Sequence, residues 1–344
     1  MQSVVNAAEK AKDHGIDLAK LPQNVNMTAG TITQNVLAMN ANCKDERMKL
    51  IFQSLITHLH DFVRETALTT DEWMTAINFL TETGKMCTDI RQEFILLSDS
   101  LGVSTLVDSL NNAKPQGATE SSVLGPFFTE DAHDSTINSS AFFCLDLPLS
   151  PVQPGDSIAS EGKGDYLFVE GRVTDIQGKP VPNAIIDTWE TDGHGLYDTQ
   201  YDIREGPDCR GRLRTAEDGS FSYRAVVPVS YPIPSDGPVG RMVTALGRHV
   251  FRPAHLHVQI QAPGYEKLTT ALYFEGDPYL TSDAVFGVKS SLIVKPEIIN
   301  DVALTKLRGF KEPKPHAYVK RDFVLATPEQ GAEARRVLAD IVSN

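Results

Sequence analysis

Apolar residues in the first third of the chain recur at helical spacing. The segment ERMKLIFQSLITHLHDFVRET places five of them at helical spacing: Leu50, Leu55, Leu59, Phe62 and Val63. Thr69 with Glu72 fits a capping box that begins another helix just before Trp73. The segment CTDIRQEFILLSDSLGVSTLVDSLNN continues the pattern. We therefore predict helices joined by short loops up to about Asn112.

After NNAKPQGATESS the pattern changes to alternation, which is typical of strands. YLFVEGRVTD and GSFSYRAVVP alternate large apolar with polar or small residues, and Gly- and Pro-containing turns separate such runs. Short, regularly spaced strands favour an antiparallel β-sandwich over a parallel α/β sheet. PEQGAEARRVLADIVSN predicts a short closing helix. We predict a mainly β fold, with a helical region at residues 1–122 and a sandwich domain at residues 123–344.

Composition narrows the classes of function. The chain has 344 residues and a net charge of −13, which argues against a nucleic-acid binder because such proteins need a basic face. We see no apolar run of signal-peptide or membrane-span length. The cysteines are far apart and form no C-x-x-C pair, which disfavours a zinc–thiolate site: Cys43, Cys87, Cys144 and Cys209. We expect a cytoplasmic protein with reduced thiols.

The segment RHVFRPAHLHVQI carries two histidines at alternate positions of a predicted strand. Because residues i and i+2 of a strand face the same side, His255, His257 and Gln259 should point one way. The opposite face is apolar, with Leu256, Val258 and Ile260. Two neutral imidazoles side by side form half of a metal site, although an exposed H-x-H pair is the commoner case. His58 and His60 form the same pattern on a predicted helix, and we expect that pair to be solvated.

A metal would need further ligands, and the sequence leaves several open. Asp187, Glu190 and Asp192 could each complete the facial triad of an iron(II) oxygenase, but they also suit turns and rims. Glu266 and His316 are weaker candidates for a cupin-like site, since one follows a Pro-Gly turn and the other is remote.

Tyrosine is the remaining ligand type. Tyr197 ends WETDGHGLY, in which Gly193 and Gly195 permit close backbone approach. Tyr231 lies between prolines in VPVSYPIPSDGP, a stiff loop. Each also fits a half-buried tyrosine with a satisfied hydroxyl. Residue type alone does not select these two from the 9 tyrosines.

Several segments together resemble the intradiol ring-cleaving dioxygenases, the iron(III) catechol 1,2-dioxygenase family. They are SSVLGPFF, GRVTDIQGKPVPNAIIDTWETDGHGLY, RGRLRTAEDGSFSYRAVVPVSY and GRHVFRPAHLH. The resemblance runs from about Asp89 to Lys295. It implies a β-sandwich catalytic domain and a homodimer paired through the N-terminal helices, which in this family can enclose phospholipid. The apolar stripe of residues 50–63 suits that role, or packing within its own chain.

The resemblance implies a metal centre in which Fe(3+) is held by Tyr197, Tyr231, His255, His257 and a hydroxide. A free tyrosine titrates near pH ~10, so a strong local positive charge is needed to make it a phenolate at neutral pH. Two phenolates and one hydroxide balance the ferric charge, which suits a dry pocket. Tyr231 is implied to act also as a general base, and Arg252 to stabilise negative charge on the bound substrate.

Within the family, DIRQEFILLSDSLG, VLGPF, YPIP and DPYLTSDAVFGVKSSL resemble the branch that acts on hydroxyquinol, benzene-1,2,4-triol. The implied substrate-binding positions are Leu96, Asp99, Val123, Gly125, Pro126, Phe127, Ile233, Pro234, Arg252 and Val285. Asp99 is informative, because a carboxylate in an apolar pocket is costly unless paired, and a third substrate hydroxyl could pair with it. It could equally be a helix-surface residue. Ala271 stands where catechol enzymes often have Gln.

The implied reaction is intradiol cleavage of hydroxyquinol with O2 to 3-hydroxy-cis,cis-muconate, the enol form of maleylacetate. The nearest alternative is the same chemistry on catechol or a substituted catechol, giving cis,cis-muconate. A non-enzymatic β-sandwich binding module would hold no stoichiometric iron. A histidine–carboxylate iron(II) oxygenase would not depend on Tyr197.

Overall fold

A computed structural model of the chain describes residues 9–11, 14–15, 17, 19, 26–88, 91–129, 156–204 and 206–342. Cys144 lies outside the described residues, and Cys43, Cys87 and Cys209 are free thiols. The residues fall into two compact units, Met1–Leu80 and Thr81–Asn344. The functional boundary between residues 122 and 123 stays a prediction.

The N-terminal elements are helical, as predicted. They are α1 (Ile32–Met39), α2 (Glu46–Glu65) and α3 (Thr70–Met86). Asp45 caps α2 by accepting a hydrogen bond from the amide of Met48 at 3.0 Å. The capping box before α3 is confirmed: the Thr69 amide donates to the Glu72 carboxylate at 2.9 Å, and the Glu72 amide donates to Thr69 Oγ1 at 3.3 Å.

The second unit contains the strands and the remaining helices. In chain order the helices are α4 (Glu93–Ser100), α5 (Val103–Asn111), α6 (Pro238–Ala245), α7 (Val302–Leu307) and α8 (Pro328–Val342). The strands are β1 (Tyr166–Asp175), β2 (Ile185–Glu190), β3 (Arg210–Arg214), β4 (Ser220–Val226), β5 (Tyr231–Pro232), β6 (Phe251–Arg252), β7 (His255–Gln261), β8 (Leu268–Phe274), β9 (Ile293–Val294), β10 (Glu297–Ile299), β11 (His316–Lys320) and β12 (Phe323–Leu325). None of the described helices is both long and apolar enough to cross a membrane.

The strands form two five-stranded sheets and one short ribbon. One sheet has the order β10-β11-β1-β12, with β4 also paired to β1, and the other has the order β3-β2-β7-β8-β9. Strands β5 and β6 form the ribbon. Most pairs are antiparallel, but β1 pairs in parallel with β11 and β12, and β8 with β9. The predicted antiparallel arrangement holds for most pairs but not for these three, because residue alternation reports which face a side chain takes and not the direction of the neighbouring strand.

The two large sheets enclose one apolar core. Its members come from both sheets and include Leu167, Val169, Val173, Ile186, Phe221, Ala225, Leu256, Val258, Ile260, Leu268 and Leu272. The predicted alternation of β7 is therefore confirmed, since its three apolar residues enter this core. The histidines consequently point to the other face of the same sheet.

Candidate active site

Strand β7 presents the two histidines on one face, and both are buried. The Nδ1 atom of His255 lies 2.7 Å from the carbonyl oxygen of Pro253. Because a carbonyl only accepts, this contact places the proton of His255 on Nδ1 and leaves a lone pair on Nε2, which Arg252 Nη1 faces as a donor at 3.0 Å. The Nδ1 atom of His257 has no hydrogen-bond partner among the described residues.

Tyr197 is positioned by the loop that follows β2. The Asp192 carboxylate orders this loop by accepting hydrogen bonds from the amides of His194 at 2.9 Å and Leu196 at 3.2 Å. Gly195 has φ +81°, and a Cβ there would lie 3.3 Å from the Cβ of Tyr231, so the predicted close approach is present. The Tyr197 amide donates to the side chain of Gln200 at 2.9 Å. Tyr197 is fully buried as a result of this packing.

Tyr231 and Arg252 are brought together by the β5–β6 ribbon. The two residues are directly opposite each other in its antiparallel register. Arg252 Nη1 lies 3.4 Å from the Tyr231 hydroxyl and 3.0 Å from His255 Nε2. The stiff loop expected around Tyr231 therefore includes a short strand that delivers an arginine to the same site.

The two tyrosines and the two histidines converge on one point. The Tyr197 hydroxyl oxygen lies 3.5 Å from that of Tyr231 and 3.3 Å from His255 Nε2. His255 Nε2 lies 3.1 Å from His257 Nε2. Two imidazole nitrogens and two phenol oxygens thus face a common centre, an arrangement that suits a cation with oxygen and nitrogen ligands.

Burial and the nearby guanidinium set the protonation of these groups. Burial lowers the pKa of both histidines well below the usual value, and for His255 the positive charge of Arg252 adds to the effect. Both rings are therefore neutral and able to act as ligands. Burial, together with the nearby Tyr231, raises the pKa of Tyr197 well above the ordinary tyrosine value. Tyr197 therefore needs an additional positive charge to ionise at neutral pH.

Aromatic rings enclose the four donors. Trp189 stacks on His257 with ring centroids 4.7 Å apart, and Phe127 stacks on Tyr197 at 4.4 Å. Gly125 has φ +73°, and a Cβ there would lie 3.6 Å from the His257 ring, so the backbone packs against the imidazole. Across β7 and β8, His257 pairs with the buried Ala271.

Other predicted substrate-binding residues lie in the same unit. Most are buried, namely Leu96, Asp99, Val123, Ile233 and Val285, whereas Pro234 is partly buried and Pro126 is exposed. Asp99, on α4, is only 7% exposed and so is not a helix-surface residue. Burial raises the pKa of Asp99, the Asp283 carboxylate adds to the rise, and a hydrogen bond with Ser104 and the charge of Arg252 oppose it. The binding role of the whole set stays a prediction.

The carboxylates weighed as alternative ligands have other partners. Asp187 pairs with Arg212 at 2.7 Å. Glu190 accepts a hydrogen bond from the Val226 amide at 3.0 Å, and Asp192 orders the Tyr197 loop. Among the described residues there is no group of three or more His, Cys, Asp or Glu suited to hold a metal.

The residues weighed for a cupin-like site, and the second H-x-H pair, lie away from the four donors in other contacts. Glu266 pairs with Lys114 at 2.8 Å and with Arg335 at 2.7 Å. His316 Nδ1 lies 2.8 Å from the Thr305 hydroxyl. His58 is exposed as expected, but His60 is only partly exposed and its Nδ1 lies 2.9 Å from the Thr33 hydroxyl, so the prediction that both are solvated is wrong for His60.

Three features of the site were not predicted from the sequence. Trp189 faces His257 because the two residues are opposite in the β2–β7 register. Asp283 binds the guanidinium of Arg252, and Asp198, next to Tyr197, pairs with the buried Arg210. Alternation along β2 would have placed Trp189 on the correct face, but the two ion pairs join residues 31 and 12 positions apart and have no local signal.

Known proteins resemble this chain over most of its length. The chain matches the family described as Dioxygenase over residues 151–327, and the family described as Catechol dioxygenase N terminus over residues 45–119. An intradiol ring-cleavage dioxygenase of Aspergillus niger is 46% identical over 316 residues, which cover 92% of this chain and 90% of that protein. A hydroxyquinol 1,2-dioxygenase of a Rhizobium species is 43% identical over 294 residues, which cover 85% and 94%.

A solved structure has the same fold. The hydroxyquinol 1,2-dioxygenase of Pseudomonas putida DLL-E4 superposes with a TM-score of 0.76 at 44% identity, covering 87% of this chain and 98% of that one. The catechol 1,2-dioxygenase of Acinetobacter radioresistens superposes with a TM-score of 0.74 at 25% identity, covering 90% and 96%. With these matches spanning its strands and its buried tyrosine–histidine site, the chain belongs to the intradiol ring-cleavage dioxygenase family.

Proposed function

We propose that the protein is an enzyme that uses O2 to cleave hydroxyquinol between its two adjacent hydroxylated carbons. The product is 3-hydroxy-cis,cis-muconate, the enol form of maleylacetate. Both atoms of O2 enter the product, and no external reductant is consumed. The observation that carries the proposal is the convergence of Tyr197, Tyr231, His255 and His257 with neighbouring donor atoms 3.1 to 3.5 Å apart.

The donor set fits Fe(3+). Phenolate oxygen is a hard ligand that suits a trivalent cation, and neutral imidazole completes a mixed oxygen and nitrogen site. His255 presents a lone pair on Nε2 toward the other donors, because its Nδ1 faces the Pro253 carbonyl. We assign Tyr197, Tyr231, His255 and His257 as the residues that hold the ion. When bound, Fe(3+) would supply the positive charge that ionises the tyrosines and would draw electron density from a chelated diol, making the diol reactive toward O2.

Tyr231 is the residue to which we assign proton transfer. A diol that binds through both oxygens loses two protons, and the phenol oxygen of Tyr231 is a base placed inside the site. Its hydroxyl lies 3.4 Å from Arg252 Nη1. The Arg252 guanidinium therefore stays beside this oxygen whether Tyr231 or the substrate carries the negative charge. Tyr231 thus serves as both ligand and general base.

Arg252 is the second catalytic residue in this proposal. It is 3% exposed, and Nη1 is the part of its guanidinium that faces the tyrosine and histidine donors. Burial favours its neutral form, but the neighbouring Asp283 carboxylate and tyrosine oxygens raise its pKa well above the ordinary value, so it stays charged. A fixed positive charge in a buried site stabilises the negative charge that develops on the substrate.

Asp99 is the residue to which we assign preference for a triol. Its buried carboxyl has a raised pKa, so it can take up a proton and hydrogen-bond a polar substrate group at low desolvation cost. Catechol lacks the third hydroxyl and would give this carboxyl no hydrogen-bond partner on the substrate. Catechol or a substituted catechol remains the second candidate substrate, favoured by the structural similarity to a catechol 1,2-dioxygenase.

We extend the proposal to a homodimer paired through helix α2. This helix has no buried side chain, and its apolar stripe is between 45 and 56% exposed, comprising Leu50, Leu55, Leu59, Phe62 and Val63. An apolar face of this length is typical of a surface that is covered in the assembled protein. A second copy of the chain, with phospholipid between the helices, would cover it.

Turnover of purified, iron-loaded protein tests the reaction. We expect equal consumption of O2 and hydroxyquinol and a product that carries both atoms when the reaction is run in isotopically labelled O2. Catechol under the same conditions should be cleaved with a lower kcat/KM. Hydroxyquinol turnover at no more than a trace of the catechol rate would end the hydroxyquinol assignment and leave the catechol one.

A further inference from the structure

The carboxylate of Asp283 is buried against the guanidinium of Arg252. Asp283 is 5% exposed. Its Oδ1 accepts a hydrogen bond from Arg252 Nε at 3.1 Å, and its Oδ2 lies 3.4 Å from Arg252 Nη2. These contacts use one edge of the planar guanidinium. The remaining nitrogen, Nη1, is therefore directed at Tyr231 and His255.

The same carboxylate orders the loop that follows it. Oδ1 accepts from the Val285 amide at 3.3 Å, and Oδ2 accepts from the Gly287 amide at 2.9 Å. The Gly287 carbonyl in turn accepts a hydrogen bond from the Ser122 hydroxyl at 2.9 Å. Two backbone amides thus hold the Asp283 carboxylate independently of Arg252. The carboxylate is therefore a rigid partner for the arginine side chain.

Packing around the pair leaves the guanidinium little freedom. A Cβ added at Gly287 would lie 2.7 Å from the Tyr273 hydroxyl, 3.1 Å from Arg252 Nη2 and 3.2 Å from Asp283 Oδ2, so the glycine makes room for the ion pair and for the tyrosine that contacts it. The Tyr273 hydroxyl lies 3.5 Å from the same Nη2. An arginine has several rotatable bonds, and without such an anchor it would lose its orientation toward the donors.

We propose that Asp283 is a positioning residue of the reaction, acting through Arg252. It holds Nη1 beside the tyrosine and histidine donors and balances the arginine charge in the absence of substrate. The inference rests on the catalytic role given to Arg252 under the proposed function. Because Arg252 acts on charge that develops during the reaction, loss of its orientation should lower kcat, with a smaller effect on KM.

Asp283→Asn tests the proposal, because asparagine keeps the size and one acceptor oxygen but removes the charge. We expect iron content and the visible absorption band to be retained, and kcat per iron on hydroxyquinol to fall on the order of 100-fold. In an Arg252→Ala background, Asp283→Asn should change kcat by no more than about 2-fold, because coupled residues are non-additive. Equal losses in both backgrounds, or an unchanged kcat in the single variant, would overturn the proposal.

The chain offers a matched control at Asp175. Its Oδ1 accepts from the amides two and four residues later, Gln177 and Lys179, both at 2.9 Å, which is the spacing that Asp283 uses. Asp175→Asn therefore removes the charge of a similar turn-ordering aspartate that pairs with no catalytic arginine. We expect kcat per iron to stay near the wild-type value. A loss equal to that of Asp283→Asn would reduce the role of Asp283 to loop stability.

A second variant covers the case in which Asp283→Asn does not fold. Gly287→Ala inserts a methyl group beside the ion pair without removing a charge, and it should lower kcat per iron while retaining the iron. Unchanged turnover in Gly287→Ala would then overturn the proposal. The same variants assayed on catechol separate the substrate assignment from the role of Asp283. Absence of hydroxyquinol turnover in the wild type contradicts the substrate assignment alone. The role of Asp283 is then tested with whichever diol the wild type cleaves.

Discussion

The Nε2 atoms of His255 and His257 lie 3.1 Å apart in a buried site. His255 already directs Nδ1 to a carbonyl, so its Nε2 presents a lone pair to the other ring. Two such nitrogens together with two phenol oxygens concentrate lone pairs at one point, which is favourable when a cation lies among them. This relationship links the sandwich fold to the proposed ferric chemistry.

Iron binding should weaken as the pH falls. The pKa of Tyr197 is raised by burial, so ferric iron must displace its proton, whereas the lowered pKa values of the histidines keep both rings neutral into the acid range. Binding therefore releases the proton of Tyr197 and none from the imidazoles, and affinity should fall about tenfold per pH unit for each proton released. Competition with a chelator between pH ~6 and ~8, corrected for its own protonation, measures this slope. Affinity that does not depend on pH would contradict the phenolate assignment.

Replacing Asp99 should change substrate preference more than it changes stability. Asp99→Ala removes the buried carboxyl group that is proposed to bind the third hydroxyl of hydroxyquinol. We expect the ratio of kcat/KM for hydroxyquinol to that for catechol to fall at least tenfold, equivalent to about 1.4 kcal/mol of discrimination. Catechol turnover should largely persist. A ratio equal to that of the wild type would remove Asp99 from the specificity argument.

Periodicity and short motifs predicted local geometry correctly where the decisive information was local. Alternation in HLHVQI placed His255 and His257 on one face because parity along a strand depends only on neighbouring residues. The capping box at Thr69 and Glu72 was likewise visible in a few letters. The two tyrosines could be selected only through the family resemblance, since their convergence depends on a loop and a ribbon that are far apart in the sequence.

The contacts that the sequence did not predict are all long-range. Asp283 and Arg252 are separated by 31 positions and meet through a loop whose path the pattern does not specify. The parallel placement of β11 and β12 beside β1 was missed for a similar reason, because strand order depends on which distant segments pack together and not on residue alternation. Burial of Asp99 also could not be predicted, because the sequence of its helix fits an exposed carboxylate at this position as well as a buried one.

The pair formed by Asp198 and Arg210 should stabilise the fold strongly. Both side chains are buried, and Arg204 gives the same carboxylate a second contact at 2.7 Å. Asp198→Ala would leave the Arg210 charge buried and unpaired, so we expect the free energy of unfolding to fall by about 3 to 5 kcal/mol. Urea denaturation measures the loss. The exposed pair of Lys295 and Glu275 is the control, and Lys295→Ala should change stability by less than about 1 kcal/mol. Equal effects of the two variants would contradict the role of the buried pair.

A charge in the apolar stripe of α2 should dissociate the proposed homodimer. Leu55 and Leu59 are each about half exposed, so replacing them costs little within the chain, whereas an aspartate would be buried unpaired in a dimer. We expect Leu55→Asp/Leu59→Asp to sediment as a monomer while the wild type sediments as a dimer. Gln53→Asp/Ser54→Asp, on exposed polar positions of the same helix, is the charge-matched control. A wild type that is monomeric at all concentrations would contradict the assembly.

The most direct test of the central claim is the visible absorption spectrum of purified, iron-loaded protein before and after anaerobic addition of hydroxyquinol. Charge transfer from tyrosine phenolate to Fe(3+) should colour the protein wine red, and chelation of the diol should move the band to longer wavelength. Tyr197→Phe, treated in the same way, should lose the colour. A wild-type protein that stays colourless after iron reconstitution would contradict the assignment of Tyr197, Tyr231, His255 and His257 as ferric ligands.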